Sequence, residues 1–181
     1  MLYFRIPYAF NKKLFEAIDH EFTLVQDDDW ICFTDGDTAF LYADFGHKIQ
    51  EYINHFPGAG MLVCYARSHY ECQRPPFLDM ENDSLLYHKH IASVCRKEYS
   101  LDVQVLNRPI SGHLMVIKKS IWLKIRPEVI RTALGKNILG VDTKISNALI
   151  KQGLPIILMG GLYVLHYLRF AEGLNYTEHI S

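Results

Sequence analysis

Apolar residues fall along the chain in two rhythms. Short continuous runs alternate with stretches in which they recur every three or four positions. Leu2 to Ile6 is an apolar and aromatic run stopped by Pro7, which predicts a first strand. Leu14, Phe15, Ile18 and Phe22 then share one helical face, with Asn11 placed to cap it. Trp30 to Phe33 predicts a buried strand, His47 to His55 a helix ended by Pro57 and Gly58, and Met61 to Ala66 another strand. Gln73 to Pro76 break the pattern. Asn82 to Ser84 can cap a helix running to about Tyr99, with Leu85, Leu86, His88, Ala92 and Cys95 near one side. Val103 to Leu106 and His113 to Ile117 predict strands, and the second leads into a short helix around Ser120 to Ile125. A further helix is expected near Pro127 to Leu134, with proline in its first turn. Asp142 is placed to cap a helix that carries Ile145, Ala148 and Leu149 inward and stops at Gly153. Pro155 to Met159 and Leu162 to Leu168 are two closing strands.

Strands interleaved with helices, without internal repeats or a long linker, define one α/β domain across residues 1–181. At 181 residues the chain has room for a single substantial core. Its formal charge of −1 and lack of basic clusters give no footprint for nucleic acid. No apolar run is long enough to span a bilayer, and the first residues lack the basic flank and apolar core of a signal peptide. The expectation is a cytoplasmic chain with no integral membrane segment. Cys32, Cys64, Cys72 and Cys95 form no Cys-x-x-Cys pair and read as reduced core thiols. A zinc set of Cys72, His88, His90 and Cys95 matches no usual finger spacing.

The chemistry is concentrated where the run Trp30-Ile-Cys-Phe-Thr34 ends in Asp35-Gly36-Asp37. In α/β proteins ligands bind beyond the carboxyl ends of strands, where a carboxylate pair has no apolar role. Residues two apart in an extended segment point the same way about 7 Å apart. Asp35 and Asp37 can therefore share one side of a cleft, and two like charges held there call for a cation. Hard oxygen donors select magnesium, manganese or calcium. Gly36 lets a ligand approach the backbone between them. The competing reading is a polar turn that leaves a buried strand.

With these elements in order, the chain resembles an A-type glycosyltransferase fold of the broad family 2 kind, a mixed, mainly parallel sheet flanked by helices, in compact form. Four matches carry the resemblance. Ile6-Pro7-Tyr8 with Asn11 resembles the first strand and nucleotide loop, and Asp35-Gly36-Asp37 resembles the Asp-x-Asp metal motif. Ser111-Gly112 before His113 to Lys118 resembles the glycine-led strand on the acceptor side. Gly140-Val141-Asp142-Thr143 resembles the segment that supplies a catalytic carboxylate, and His166 lies where many members carry a metal-facing histidine.

The resemblance implies transfer of a sugar from a nucleotide diphosphate sugar, of UDP or GDP type, to the hydroxyl of a saccharide or other acceptor. A manganese or magnesium ion would stabilise the departing diphosphate. Asp37 is the expected direct ligand, with Asp35 on the ribose or on the metal through water, and His166 completing the shell. His166 otherwise reads as a hydrogen-bonded core histidine. Asp142 is either the general base of an inverting reaction or only a helix cap. Pro7, Tyr8 and Asn11 are expected at the nucleotide, where Tyr8 offers a stacking face or fills the edge of the core. Arg169 faces the diphosphate or the solvent. Arg67 and Gln73 are candidates for the acceptor side, and His88 and His90 are expected on a helix surface.

Two departures from the family matter. No second strand ending in an Asp-Gly-Ser-like turn lies between the first strand and the metal motif, and Val141 stands where an acid commonly precedes Asp142. A non-catalytic binding or partner module of the same fold is therefore the alternative. A haloacid dehalogenase-type phosphatase also opens on Asp-x-Asp. That motif wants threonine two places after the second acid, where Ala39 stands, and no later Lys with an Asp pair follows.

Overall fold

The computed structural model describes residues 1–7, 13–133 and 140–167. Tyr8, Asn11 and Arg169 lie outside the described residues. Among the described residues there are seven strands and five α-helices: β1 (Leu2–Arg5), α1 (Leu14–Thr23), β2 (Trp30–Thr34), β3 (Thr38–Phe40), α2 (Phe45–His55), β4 (Met61–Ala66), α3 (Leu85–Glu98), β5 (Val103–Leu106), β6 (Leu114–Lys118), α4 (Lys119–Ala133), α5 (Val141–Lys151) and β7 (Ile156–His166). This is the expected mixed α/β sheet flanked by helices. Its order is β1-β2-β6-β4-β7-β3, with β5 also paired to β7. β1 and β2 run parallel, as do β4 and β7, and β6 joins the two pairs antiparallel to both. Four strands thus share one direction, and β3, β5 and β6 oppose them.

Helices cover both faces, which explains why the central strands read as unbroken apolar runs. All five residues of β2 are buried. Ile31 and Phe33 point to a core built with Phe15, Ile18 and Phe22 of α1, Trp122 and Ile125 of α4, and Ile145 and Leu149 of α5. Trp30 and Cys32 point the other way, to Phe45, Ile49, Tyr52 and Ile53 of α2. Asp19 fastens α1 to α4, taking a bond from Trp122 Nε1 at 3.0 Å and two from Arg126 at 2.6 and 2.7 Å. The Arg126 guanidinium holds the Asp19 carboxyl below its ordinary range.

The expected pair of closing strands is one strand, β7, of eleven residues. Gly160 and Gly161 do not end it. Its register against β4 shifts between Cys64 and Tyr65, so that Cys64 faces Met159 while Tyr65 faces Tyr163. The glycines occupy this bulge because the neighbours are close. A Cβ at Gly161 would stand 3.0 Å from the Tyr52 hydroxyl, and one at Gly160 would stand 3.0 Å from the Asp102 carbonyl oxygen. Below the bulge β7 pairs with β5, and above it with β3.

The two short helices expected after β6 are likewise one, α4, with Pro127 inside rather than in a first turn. In α3 the Ser84 cap is present, its hydroxyl accepting from Tyr87 N–H, and the buried side keeps His88, Ala92 and Cys95 of the expected set but not Leu85 and Leu86. Leu85 and Leu86 are exposed, whereas His88 is fully buried with Ile91, Ala92 and Cys95. His88 is therefore not a surface residue: Nδ1 lies 2.7 Å from the Tyr163 hydroxyl, and Nε2 lies 2.8 Å from the Asn82 carbonyl. His90 is exposed as expected. Cys32, Cys64 and Cys95 are buried free thiols, and Cys72 is half-buried. Among the described residues no helix is long and apolar enough to cross a membrane.

Candidate functional site

The carboxyl ends of β2 and β7 meet at one place. Beyond Thr34, the chain bends around the start of β6. Asp35 N–H donates to the His113 carbonyl at 3.4 Å and Thr38 Oγ1 donates to the same carbonyl at 3.2 Å. β3 then pairs with the end of β7 in a register that sets Thr38 opposite His166. Tyr167 N–H donates to the Asp37 carbonyl at 3.0 Å, which continues this pairing. The result joins residues far apart in sequence. His166 Nε2 lies 3.3 Å from Asp37 Oδ1 and 3.8 Å from Asp35 Oδ2. One donor atom from each of the three lies within 4.8 Å of the others.

Two carboxylates and an imidazole form a donor set suited to a divalent ion such as manganese or magnesium. The histidine geometry fits the same use. His166 Nδ1 is buried with no hydrogen-bond partner among the described residues, so the polar face of this ring that finds partners is the Nε2 edge directed at the acids. Behind it lies His113, fully buried, with ring centroids 5.5 Å apart. Burial, with His166 beside it, lowers the pKa of His113 to about 3, so this ring is neutral.

The acids open into a cavity of about 430 Å³. Pro7 lines it, as do Leu14 and Ile18 of α1, His69, Ser111, Gly112 and Asp142. Pro7, Asp35, Asp37, Asp142 and His166, all singled out from the sequence, thus border one space.

Asp142 does not cap α5. The cap is Gly140, whose φ of +93° is left-handed and suits glycine. Asp142 sits in the first turn, where Oδ1 accepts Thr143 N–H at 2.7 Å and Oδ2 accepts Gly112 N–H at 2.9 Å. Two amide donors at a helix N-terminus favour the carboxylate, but burial outweighs them and raises the pKa of the group. A carboxyl so placed takes a proton more readily than an exposed one.

Arg67 and Gln73 do not line the cavity. The Arg67 side chain is buried and donates to the Met80 carbonyl and to Asp83. Gln73 is fully buried and bonded to Ser111. From the sequence His113 is expected at the start of a strand but not behind His166, and β3 is not expected. A histidine directly after Gly112 and before a buried strand is the one signal for His113. Comparison with protein-family models, curated proteins and solved structures finds no match for the chain.

Proposed function

We propose that this protein is a metal-dependent glycosyltransferase of the A-type, family 2-like kind, moving a sugar from a nucleotide diphosphate sugar to an acceptor hydroxyl. The observation that carries the reading is the convergence of Asp35, Asp37 and His166 on the same cavity as a buried carboxyl, Asp142. Asp37 and His166, with Asp35, would hold a divalent ion, and such an ion would supply charge stabilisation for a leaving diphosphate. Pro7 borders the nucleotide end of the cleft. Asp142 accepts the proton of the acceptor hydroxyl as its oxygen bonds to the anomeric carbon and the bond to the diphosphate breaks, which inverts the configuration. The raised pKa of Asp142 suits that task, because a base works best when its pKa approaches the working pH.

One observation favours a second reading, a nucleotide-sugar-binding module without turnover. α1 is the one helix between β1 and β2 among the described residues, and β1 is the outer strand of the sheet order. Among the described residues no second strand between β1 and β2 offers an aspartate for the nucleotide base.

Calorimetric titration with UDP, GDP and their sugar conjugates, with manganese and then with a chelator, tests the proposal. Manganese-dependent binding that disappears in Asp37→Ala is expected, followed by transfer to an acceptor. Donor affinity unchanged in Asp37→Ala would remove the metal role, and binding without transfer to any acceptor would favour the second reading.

A further inference from the structure

Gln73 lies in the 3-10 turn Glu71–Gln73 after β4, fully buried and outside the cavity lining. A buried amide must be satisfied by hydrogen bonds, and this one directs two of them to a single residue. Oε1 accepts Ser111 N–H at 2.7 Å, and Nε2 donates to the Ser111 carbonyl at 3.3 Å. Nε2 also lies 3.5 Å from His113 Nε2. The Ser111 carbonyl belongs to the same planar peptide unit as Gly112 N–H. That N–H donates to Asp142 Oδ2 at 2.9 Å. Fixing the carbonyl end of a planar unit fixes the direction of its N–H, and a donor at the oxygen strengthens donation from the nitrogen.

Gly112 brings the peptide close enough for this to matter. A Cβ there would stand 3.0 Å from the Asp142 Cβ, so the contact depends on glycine. A second amide on the carboxylate, Thr143 N–H, comes from α5 itself and does not depend on Gln73.

We propose that Gln73 is a positioning residue for Asp142: acting through the Ser111–Gly112 peptide, it holds the carboxylate in the orientation presented to the cavity. The proposal rests on the reading of Asp142 as the base, but it makes a claim about the carboxylate that can be read without turnover. The other titratable side chains on the cavity wall are Asp35, Asp37, His69 and His166.

The test is carbon-13 NMR titration of the Asp142 carboxyl in aspartate-labelled protein, assigned by loss of its signal in Asp142→Asn. Gln73→Met keeps the volume and removes both bonds to Ser111. The Asp142 pKa is expected to rise by about one unit, because the charged form loses a fixed donor. Where transfer is measurable, the acid limb of its pH profile moves by the same amount. A lowered melting temperature with an unmoved Asp142 titration would make Gln73 merely structural and overturn the proposal. If Gln73→Met does not fold, Gln73→Asn, whose shorter side chain cannot span both groups, is read in the same way. If neither folds, Gly112→Ala tests the joint directly, and an unmoved titration there overturns the proposal. Absence of transfer in the wild type would defeat the enzyme reading, while the titration still decides this one.

Discussion

Asp142→Asn separates chemistry from architecture at one atom. The carboxylate accepts Gly112 N–H at 2.9 Å and Thr143 N–H at 2.7 Å. Asparagine has one carbonyl oxygen, so it keeps one bond and turns its NH₂ toward the other donor. An unmade bond of that kind costs about 1–3 kcal/mol. The offset comes from charge. Burial raises the pKa of Asp142 in the folded state, so its contribution to stability is fully present below the unfolded pKa and is lost as pH rises through the folded one. At pH 7 the wild type bears that loss, and the neutral amide does not. The two terms oppose, and the expected net change at pH 7 is within about 1 kcal/mol, or about 2–4 °C in Tm for a domain of this size. Removing a general base costs about 10²- to 10⁴-fold in rate, equivalent to about 3–5 kcal/mol of barrier. Melting curves, donor titration and transfer rates on the same preparation check the split. A variant that melts normally, binds donor and transfers sugar within about threefold of wild type would refute the reasoning and leave Asp142 as a structural acceptor.

Other consequences concern the frame around the site. Asp19→Ala strands the buried Trp122 Nε1–H and frees Arg126, which is expected to cost about 2 kcal/mol and lower Tm by about 4–8 °C. Because Arg126 holds the Asp19 pKa below its ordinary 3.8, this contribution is complete above that value and is lost as pH falls through the lowered one. The gap between wild type and variant should narrow in melts near pH 3. Burial also lowers the pKa of His88. Stability should therefore fall by up to about 1.4 kcal/mol per pH unit from this group as pH drops below about 6.5 toward the lowered folded value. Urea unfolding at a series of pH values should show a shallower slope in His88→Gln, and an identical slope would refute the assignment. In Gly60→Ala the new Cβ would stand 2.8 Å from Leu154 Cβ and 3.1 Å from the Leu154 carbonyl carbon. Urea denaturation should show a loss of about 1–3 kcal/mol.

The parts of this molecule that are legible in the sequence are those whose cause is local. Trp30 to Phe33 and Met61 to Ala66 declare themselves because both faces of each strand are covered, so every position is apolar or aromatic. Ser84 marks its helix because its hydroxyl bonds an amide three residues on. Where the cause is distant the sequence misleads. Gly160-Gly161 looks like a gap between strands until Tyr52 and the Tyr99 to Asp102 segment occupy the space their missing side chains leave. His88 looks like a surface residue until Tyr163, 75 positions away, meets its ring. β3 is three residues long and has no pattern of its own, and it exists because Val164 to His166 are there to pair with it. That pairing decides the candidate site. Asp35 and Asp37 can be read from the end of β2, and His166 from resemblance, but their meeting requires β3 to lie on β7 in the register that opposes Thr38 to His166. A slip of one residue would turn the histidine to the other face of the sheet, away from both acids. The site therefore depends on this register as much as on the acids themselves, and Asp142 likewise depends on distant partners. Its environment is made by Gly112 and, behind it, by Gln73, neither of which carries a charge for a sequence to display.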